Sequence, residues 1–321
     1  MPNIITHTLF ADEMMDLLDL EELNSHKRLV RIGSSGPDIC FFHNMPFKAY
    51  EKTPLHRMGN DLHKQGMYAF YESALASIRA QKNPEIREQM IAYTAGFLFH
   101  WALDSTVHPY IFYRTGIKGT GSASSHHRME SLIDAIFLKV LKNTSIKDYD
   151  VTELVCATFP EHQRAIARVL VPALKAVFDE EVRPYMITET LKDWQSMQKI
   201  FRDPEGTKSS AFRVIEKPLH LDNLFSGYAV PAVIEDNWDI MNLLHSTWKN
   251  PVSGEKYTDS VFELFEKAKH RAAKAVQLFL EAVADPSREE VFLDEVKDIN
   301  YLTDREDAGQ MAFFDVADLS I

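Results

Sequence analysis

The chain has 321 residues, enough for one large domain or two ordinary ones, and its 45% hydrophobic and 26% charged content are those of a globular protein. A formal net charge of −12 argues against a protein that tracks a nucleic-acid backbone with clustered Lys and Arg, so no long nucleic acid is expected as a partner. Two cysteines, Cys40 and Cys156, imply no disulfide framework; with no basic stretch leading into an apolar run at the start, they point to a cytoplasmic protein, and no segment is apolar enough for a transmembrane span.

Read in chain order, the first feature is Thr6-His7, close to the start. Leu29-Val30-Arg31-Ile32 is the best strand-like segment, and it is short. A loop, Gly33-Ser34-Ser35-Gly36-Pro37, delivers Asp38 directly after a tight turn, where the ordinary reading of an aspartate is a helix N-cap. Gly59-Asn60-Asp61-Leu62-His63 follows. Apolar residues at helical spacing then recur in four stretches: Ile91 to Thr106, Leu132 to Val140, Ile166 to Phe178 and Val261 to Phe279. The polar, glycine-containing run from Gly116 to Ser125 reads as a loop, with Ser124 or Ser125 as the cap of the next helix. The stretch from Pro204 to Lys256 carries turn signals and reads as irregular. The pattern is that of an all-α, multi-helix bundle of about eight to ten helices, with residues 1–300 forming a single domain. Residues 301–321 are an acidic tail with an apolar patch, Met311-Ala312-Phe313-Phe314, either frayed or docked on a partner.

Thirteen histidines is a high count, and seven of them fall between His43 and His127, which directs the search for chemistry to the first half. His100, Asp104 and His108 follow one another at spacings of four, on one face of a helix. Their neighbours Phe97, Leu98, Phe99, Trp101, Leu103 and Val107 are apolar all round, so this helix is buried. A buried aspartate between two histidines is costly unless paired or metal-bound. Because a residue before proline is pushed out of the α region, Pro109 predicts that the helix ends at His108, which would then serve a second ion. His126-x-x-x-Glu130 repeats the spacing, with Asp134 one turn further along the same face. His127 competes with His126, but its i+4 partner is Ser131, a poor ligand. Imidazole and carboxylate without thiolate suit zinc, and there are enough of these groups for more than one ion. Phe41, Phe42, Tyr68 and Tyr71 read as core residues before they read as a pocket lining.

Taken in order, Thr6-His7, Gly36-Pro37-Asp38, Leu62-His63, His100-x-x-x-Asp104 with His108, and His126-x-x-x-Glu130 resemble the bacterial zinc-dependent phospholipase C family. That family is all-helical, binds three zinc ions and is related to the single-strand-specific zinc nucleases. The resemblance covers roughly residues 1 to 140. It implies that Asp38, His63, His100 and Asp104 hold one zinc, that His108, His126 and Glu130 hold a second, and that His7 with a bridging Asp104 holds a third. Secreted members begin at a tryptophan that completes the third site, and none stands near the start here, so two or three ions are expected. Asp38 matches the carboxylate proposed as general base, with a metal-bridged hydroxide as the competing nucleophile. The implied substrate is a phospholipid or small phosphoester. Two other metal-hydrolase patterns are missing from the sequence: it has neither an adjacent His-Asp dipeptide nor a Glu-x-x-His motif. The alternative of a different class is a non-catalytic helical scaffold or regulator that retains a structural metal.

Overall fold

The computed structural model describes residues 4–45, 53–117, 123–217, 226–234, 239–306 and 309–317, apart from the side chains at 22, 123 and 124. The all-α expectation holds. Among the described residues twelve α-helices follow one another: α1 (Ile4–Leu18), α2 (Glu21–Asn24), α3 (Lys27–Gly33), α4 (Pro54–Leu62), α5 (Met67–Ala80) and α6 (Pro84–Thr115), then α7 (Ala123–Lys142), α8 (Pro160–Phe178), α9 (Pro184–Phe201), α10 (Thr207–Glu216), α11 (Val261–Ala284) and α12 (Glu289–Val296). A 3-10 helix, Gly36–Phe42, connects α3 to the segment before α4. Among the described residues the only sheet is a two-residue antiparallel pairing of Trp248–Lys249 with Lys256–Tyr257. No described helix is long and apolar enough to cross a membrane.

α6 is the axis of the molecule. Asn83 caps it, its Oδ1 accepting the Ile86 N–H at 3.1 Å, and Pro84 takes the first helical position, where a missing N–H is harmless. From Gln89 onward α6 is buried on nearly every side, with α1, α3, α7, α8 and α11 packed around it. Contrary to the reading of Pro109 as a stop, α6 continues to Thr115. An interior proline costs about 3 kcal/mol. Burial of Tyr110, Ile111 and Tyr113 beyond it, each side chain contributing about 1.5–3 kcal/mol, outweighs that cost.

Leu29-Val30-Arg31-Ile32 lies in α3, not in a strand. Its partner decides this: α3 crosses α6 where Gly33 faces Gly96, and a Cβ built on Gly96 would stand 2.1 Å from the Val30 carbonyl oxygen. Two glycines let two helix backbones touch, and the tertiary contact overrides local β propensity. The stretch from Pro204 to Lys256 is irregular only in part, because Thr207–Glu216 is helical. Its start is secured by Asp203, whose carboxylate accepts the N–H groups of Lys208 (3.1 Å) and Ser209 (2.7 Å). α7 begins at Ala123, so Ser125 lies inside its first turn instead of capping it. The four predicted helical stripes fall in α6, α7, α8 and α11.

Candidate metal centre

The eight residues singled out in the sequence come from five elements and lie together, all buried. His7 comes from α1, Asp38 from the 3-10 helix, and His63 from the C-cap of α4. His100, Asp104 and His108 occupy successive turns of α6, and His126 and Glu130 occupy successive turns of α7. Their ligand atoms form three groups, each with all atoms within 4.8 Å of one another: His7, His100 and Asp104; Asp38, His63 and His100; and His108, His126 and Glu130. Asp38 is therefore no N-cap. It faces inward from the 3-10 helix, its Oδ1 3.1 Å from His63 Nε2.

Asp104 stands at the centre. Its Oδ1 lies 3.0 Å from His7 Nε2, while its Oδ2 lies 3.1 Å from His100 Nε2 and 3.4 Å from His108 Nδ1. In the third group Glu130 Oε1 is 2.9 Å from His126 Nε2 and 3.3 Å from His108 Nε2. His108 thus turns toward α7 without the helix end that Pro109 predicted: its position one turn past Asp104 is enough to carry it to a separate group.

These close approaches are not all hydrogen bonds. Asp38 Oδ1, Asp104 Oδ2 and His100 Nε2 are buried, and none of them makes a hydrogen bond. Buried polar atoms without partners are rare and costly. Two lone pairs that approach to about 3 Å and do not bond are what ligands converging on one cation look like. Tetrahedral ligands on zinc, with bonds of about 2.0–2.1 Å, are themselves separated by about 3.3 Å. The outer nitrogens of the rings agree. His63 Nδ1 is 2.7 Å from the Gly59 carbonyl, His100 Nδ1 is 3.0 Å from the Ser34 carbonyl, and His108 Nδ1 is 3.1 Å from the Tyr301 carbonyl. A carbonyl accepts only from N–H, so in each neutral ring the proton sits on Nδ1 and the Nε2 lone pair points inward, as a metal-binding histidine requires. Nitrogen and carboxylate oxygen without sulfur fit zinc.

The electrostatics follow from burial among histidines. Burial pushes the Asp104 carboxyl up, but the charges of His100, His108 and His7 more than offset that and hold it well below the usual carboxylate range. Glu130 is held well below its range in the same way, burial being outweighed by His126 and His108. For Asp38, burial is outweighed more narrowly by the close approach of His63 and the charge of His100. Each of the three is therefore an anion at neutral pH, ready to ligate. Asp134 has another role. Its carboxylate accepts the Thr6 N–H at 2.8 Å, the Ile5 N–H at 3.2 Å and the Thr6 hydroxyl, which satisfies the open N-terminus of α1 and fixes the helix that carries His7.

A cleft of about 280 Å³ reaches the centre from outside, bordered by Phe41, His63, His108, Phe112, His126 and His127. Of the four aromatics considered in the sequence, only Phe41 lines it; Phe42 and Tyr71 are core residues, and Tyr68 is half-buried, bonded to Glu290. His127 is stacked on Tyr228 with ring centres 4.3 Å apart, and burial lowers its pKa to about 4, so it borders the cleft as a neutral ring. Sequence reasoning missed Phe112, Tyr228 and Tyr301 because none of them sits in a ligand-spaced motif and Tyr301 acts through its main chain.

No curated protein and no solved structure matches the chain. The family model described as zinc-dependent phospholipase C matches residues 6–179, a span that holds all eight candidate ligands, and on that match the chain belongs to the zinc-dependent phospholipase C family.

Proposed function

We propose that the chain hydrolyses phospholipid phosphodiesters in the manner of a phospholipase C through a centre of two or three zinc ions. One observation carries the multinuclear part: the eight buried side chains fall into three ligand groups, and the group of His108, His126 and Glu130 shares no residue with the other two. His7 with Asp104 would hold one ion. Asp38, His63, His100 and Asp104 would hold another, and His108, His126 and Glu130 a further one. Bound there, zinc would polarise the phosphoryl oxygens and lower the pKa of a water molecule.

The side chains divide the remaining work. Asp38 is anionic and reaches the same group as His63, which borders the cleft, so it can accept the proton of a water attacking phosphorus. As that O–P bond forms, the bond from phosphorus to the glyceryl oxygen breaks, and the leaving oxygen takes up a proton. Phe41 and Phe112 present apolar walls to the carbon skeleton beside the scissile bond. The deep burial of the ligands keeps bulk water from competing with the charges that bind phosphate.

A scaffold with a structural metal is the weaker reading. Structural zinc sites close on four protein ligands, whereas the group of His108, His126 and Glu130 offers three, and a cleft opens onto His63, His108 and His126. The test is elemental analysis of the purified protein together with turnover of short-chain phosphatidylcholine and a nitrophenyl phosphodiester. Zinc at two or three per chain with metal-dependent release of the phosphorylated headgroup is expected. Stoichiometric zinc with no turnover of any phosphoester would favour the scaffold.

A further inference from the structure

Tyr301 lies far outside the family match, yet it touches both ends of the centre. Its N–H donates to the His63 carbonyl at 2.9 Å, and its own carbonyl accepts from His108 Nδ1 at 3.1 Å. His63 belongs to the group with Asp38 and His100, and His108 to the group with His126 and Glu130. One peptide unit on either side of one Cα therefore spans two ligand groups. The Tyr301 ring is fully buried and stands edge-on to His63 and His100, with ring centres 5.3 Å and 5.6 Å away.

The turn that carries Tyr301 is firmly held. The Asn300 N–H donates to the Arg305 carbonyl (2.8 Å), the Asp304 N–H to the Asn300 carbonyl (3.0 Å), and the Leu302 N–H to Asn300 Oδ1 (2.8 Å). Asn250 Nδ2 donates to the Thr303 carbonyl at 3.0 Å. Arg271 of α11 then ties the turn to α6: Nη1 is 2.7 Å from Asp304 Oδ1 and 2.7 Å from the Ser105 hydroxyl, next in sequence to Asp104. A loop with this many internal and external bonds is built to hold a position.

Resting on the zinc centre proposed above, we infer that Tyr301 is a positioning residue whose main chain, by bonding His63 and His108 at once, sets the distance between the ligand groups and the tautomer of His108. The tautomer needs setting because Glu130 Oε1, 3.3 Å from His108 Nε2, could accept a proton held there, which would leave that nitrogen no lone pair for an ion. Without an acceptor fixed at Nδ1, the proton could sit on either nitrogen. With the Tyr301 carbonyl in place, Nδ1 carries the proton and Nε2 faces Glu130 and His126.

The experiment loosens the turn without touching a ligand. Asn300→Ala removes the side chain that closes the turn, and Asp304→Asn weakens its tie to Arg271. Two readouts are taken: zinc affinity by chelator competition, and the His108 tautomer by nitrogen NMR of the zinc-free protein, at a pH where the ring is neutral. Both variants should lower zinc affinity about tenfold or more, the usual effect of losing an outer-shell partner, and should give His108 mixed tautomers at unchanged helix content. Tyr301→Phe keeps both main-chain bonds and the ring, and should match the wild type in both readouts. Wild-type zinc affinity together with a single, unchanged His108 tautomer in both loosened variants would overturn the inference. A wild-type protein that takes up no zinc would instead defeat the metal centre, and the tautomer would still decide the role of Tyr301.

Discussion

Gly36 and His100 are so close that the missing Cβ of the one is a condition for the place of the other. Gly36 has φ of +51°, and a Cβ built on it would stand 2.2 Å from His100 Cδ2. The turn that delivers Asp38 thus packs directly on the imidazole that two ligand groups share. Gly36→Ala would meet both the left-handed backbone penalty and the clash, a loss of about 2–4 kcal/mol of stability. Zinc affinity should fall with it, because His100 must move. A chelator titration and a thermal melt of the variant test this, and wild-type zinc binding would show that the ring can give way.

Asp104→Asn keeps the shape and removes the charge of a carboxylate whose two oxygens face His7 on one side and His100 on the other. The variant should lose at least one zinc per chain by elemental analysis and should melt at a lower temperature. His7, His100 and His108, which all approach the Asp104 carboxylate, would be left facing a neutral amide, a poorer ligand and a poorer partner. Unchanged stoichiometry would remove the bridging role.

How much of this could be read from the sequence depended on the kind of contact. His100, Asp104 and His108 were legible because helical spacing puts i and i+4 on one face and because their neighbours are apolar. His126 and Glu130 repeat the pattern. The long-range partners His7, Asp38 and His63 carry no periodicity of their own and entered through the ordered resemblance to a family. Pro109 misled because its local cost was weighed without the burial that follows it, and α3 read as a strand because the Gly33–Gly96 crossing is invisible until two helices are brought together. Tyr301 left no trace at all, since main-chain bonds do not select a residue type.

Asp38→Asn should separate the carboxylate's chemistry from its place in the fold. With a near-isosteric side chain, the melting temperature should shift by only a few degrees. Turnover of a phosphodiester should fall about 10²–10⁴-fold, the usual contribution of a positioned general base. A variant with full zinc and near-wild-type turnover would take proton transfer away from Asp38.

Stability against pH should change character on removal of metal. In the zinc-free chain, burial lowers the His108 pKa, but the charge of Asp104 and the contact with Glu130 more than offset it, so the folded value lies above the ordinary one. The stability this adds is complete below about pH 6.5 and is lost as pH rises through the raised value. The depressed carboxyls of Asp104 and Glu130 add stability that is present above about pH 4 and is lost as pH falls through their lower values. The chelated protein should therefore melt progressively lower from pH 6 to pH 8.5. Zinc requires neutral imidazole and releases the proton, so the loaded protein should not show this decline. Parallel melts in chelator and in zinc would settle it, and identical slopes would refute the assignment.

The tail bears on the centre through the end of α6. Carbonyls in the last turn of a helix need outside donors, and here the Asp315 N–H donates to the Tyr113 carbonyl at 2.9 Å and the Ala317 N–H to the Arg114 carbonyl at 2.8 Å. Arg114 also pairs with Asp315 at 2.6 Å, and Phe313 lies over the Gly254 turn, with Lys249 Nζ 5.6 Å from its ring centre. The amides of Asp315 and Ala317 should therefore be protected from hydrogen exchange, whereas a frayed tail would exchange freely. Ending the chain after Gln310 removes the two hydrogen bonds to the end of α6, the two from Ala312 and Phe313 to the Pro251 carbonyl and the Arg114–Asp315 pair, and should cost about 2–6 kcal/mol. The loss should reach the centre, because Phe112 in that last turn packs on His126 with ring centres 4.7 Å apart. Loosening the turn then frees the imidazole that faces Glu130, and the truncated protein should release zinc to a chelator faster than the full chain does.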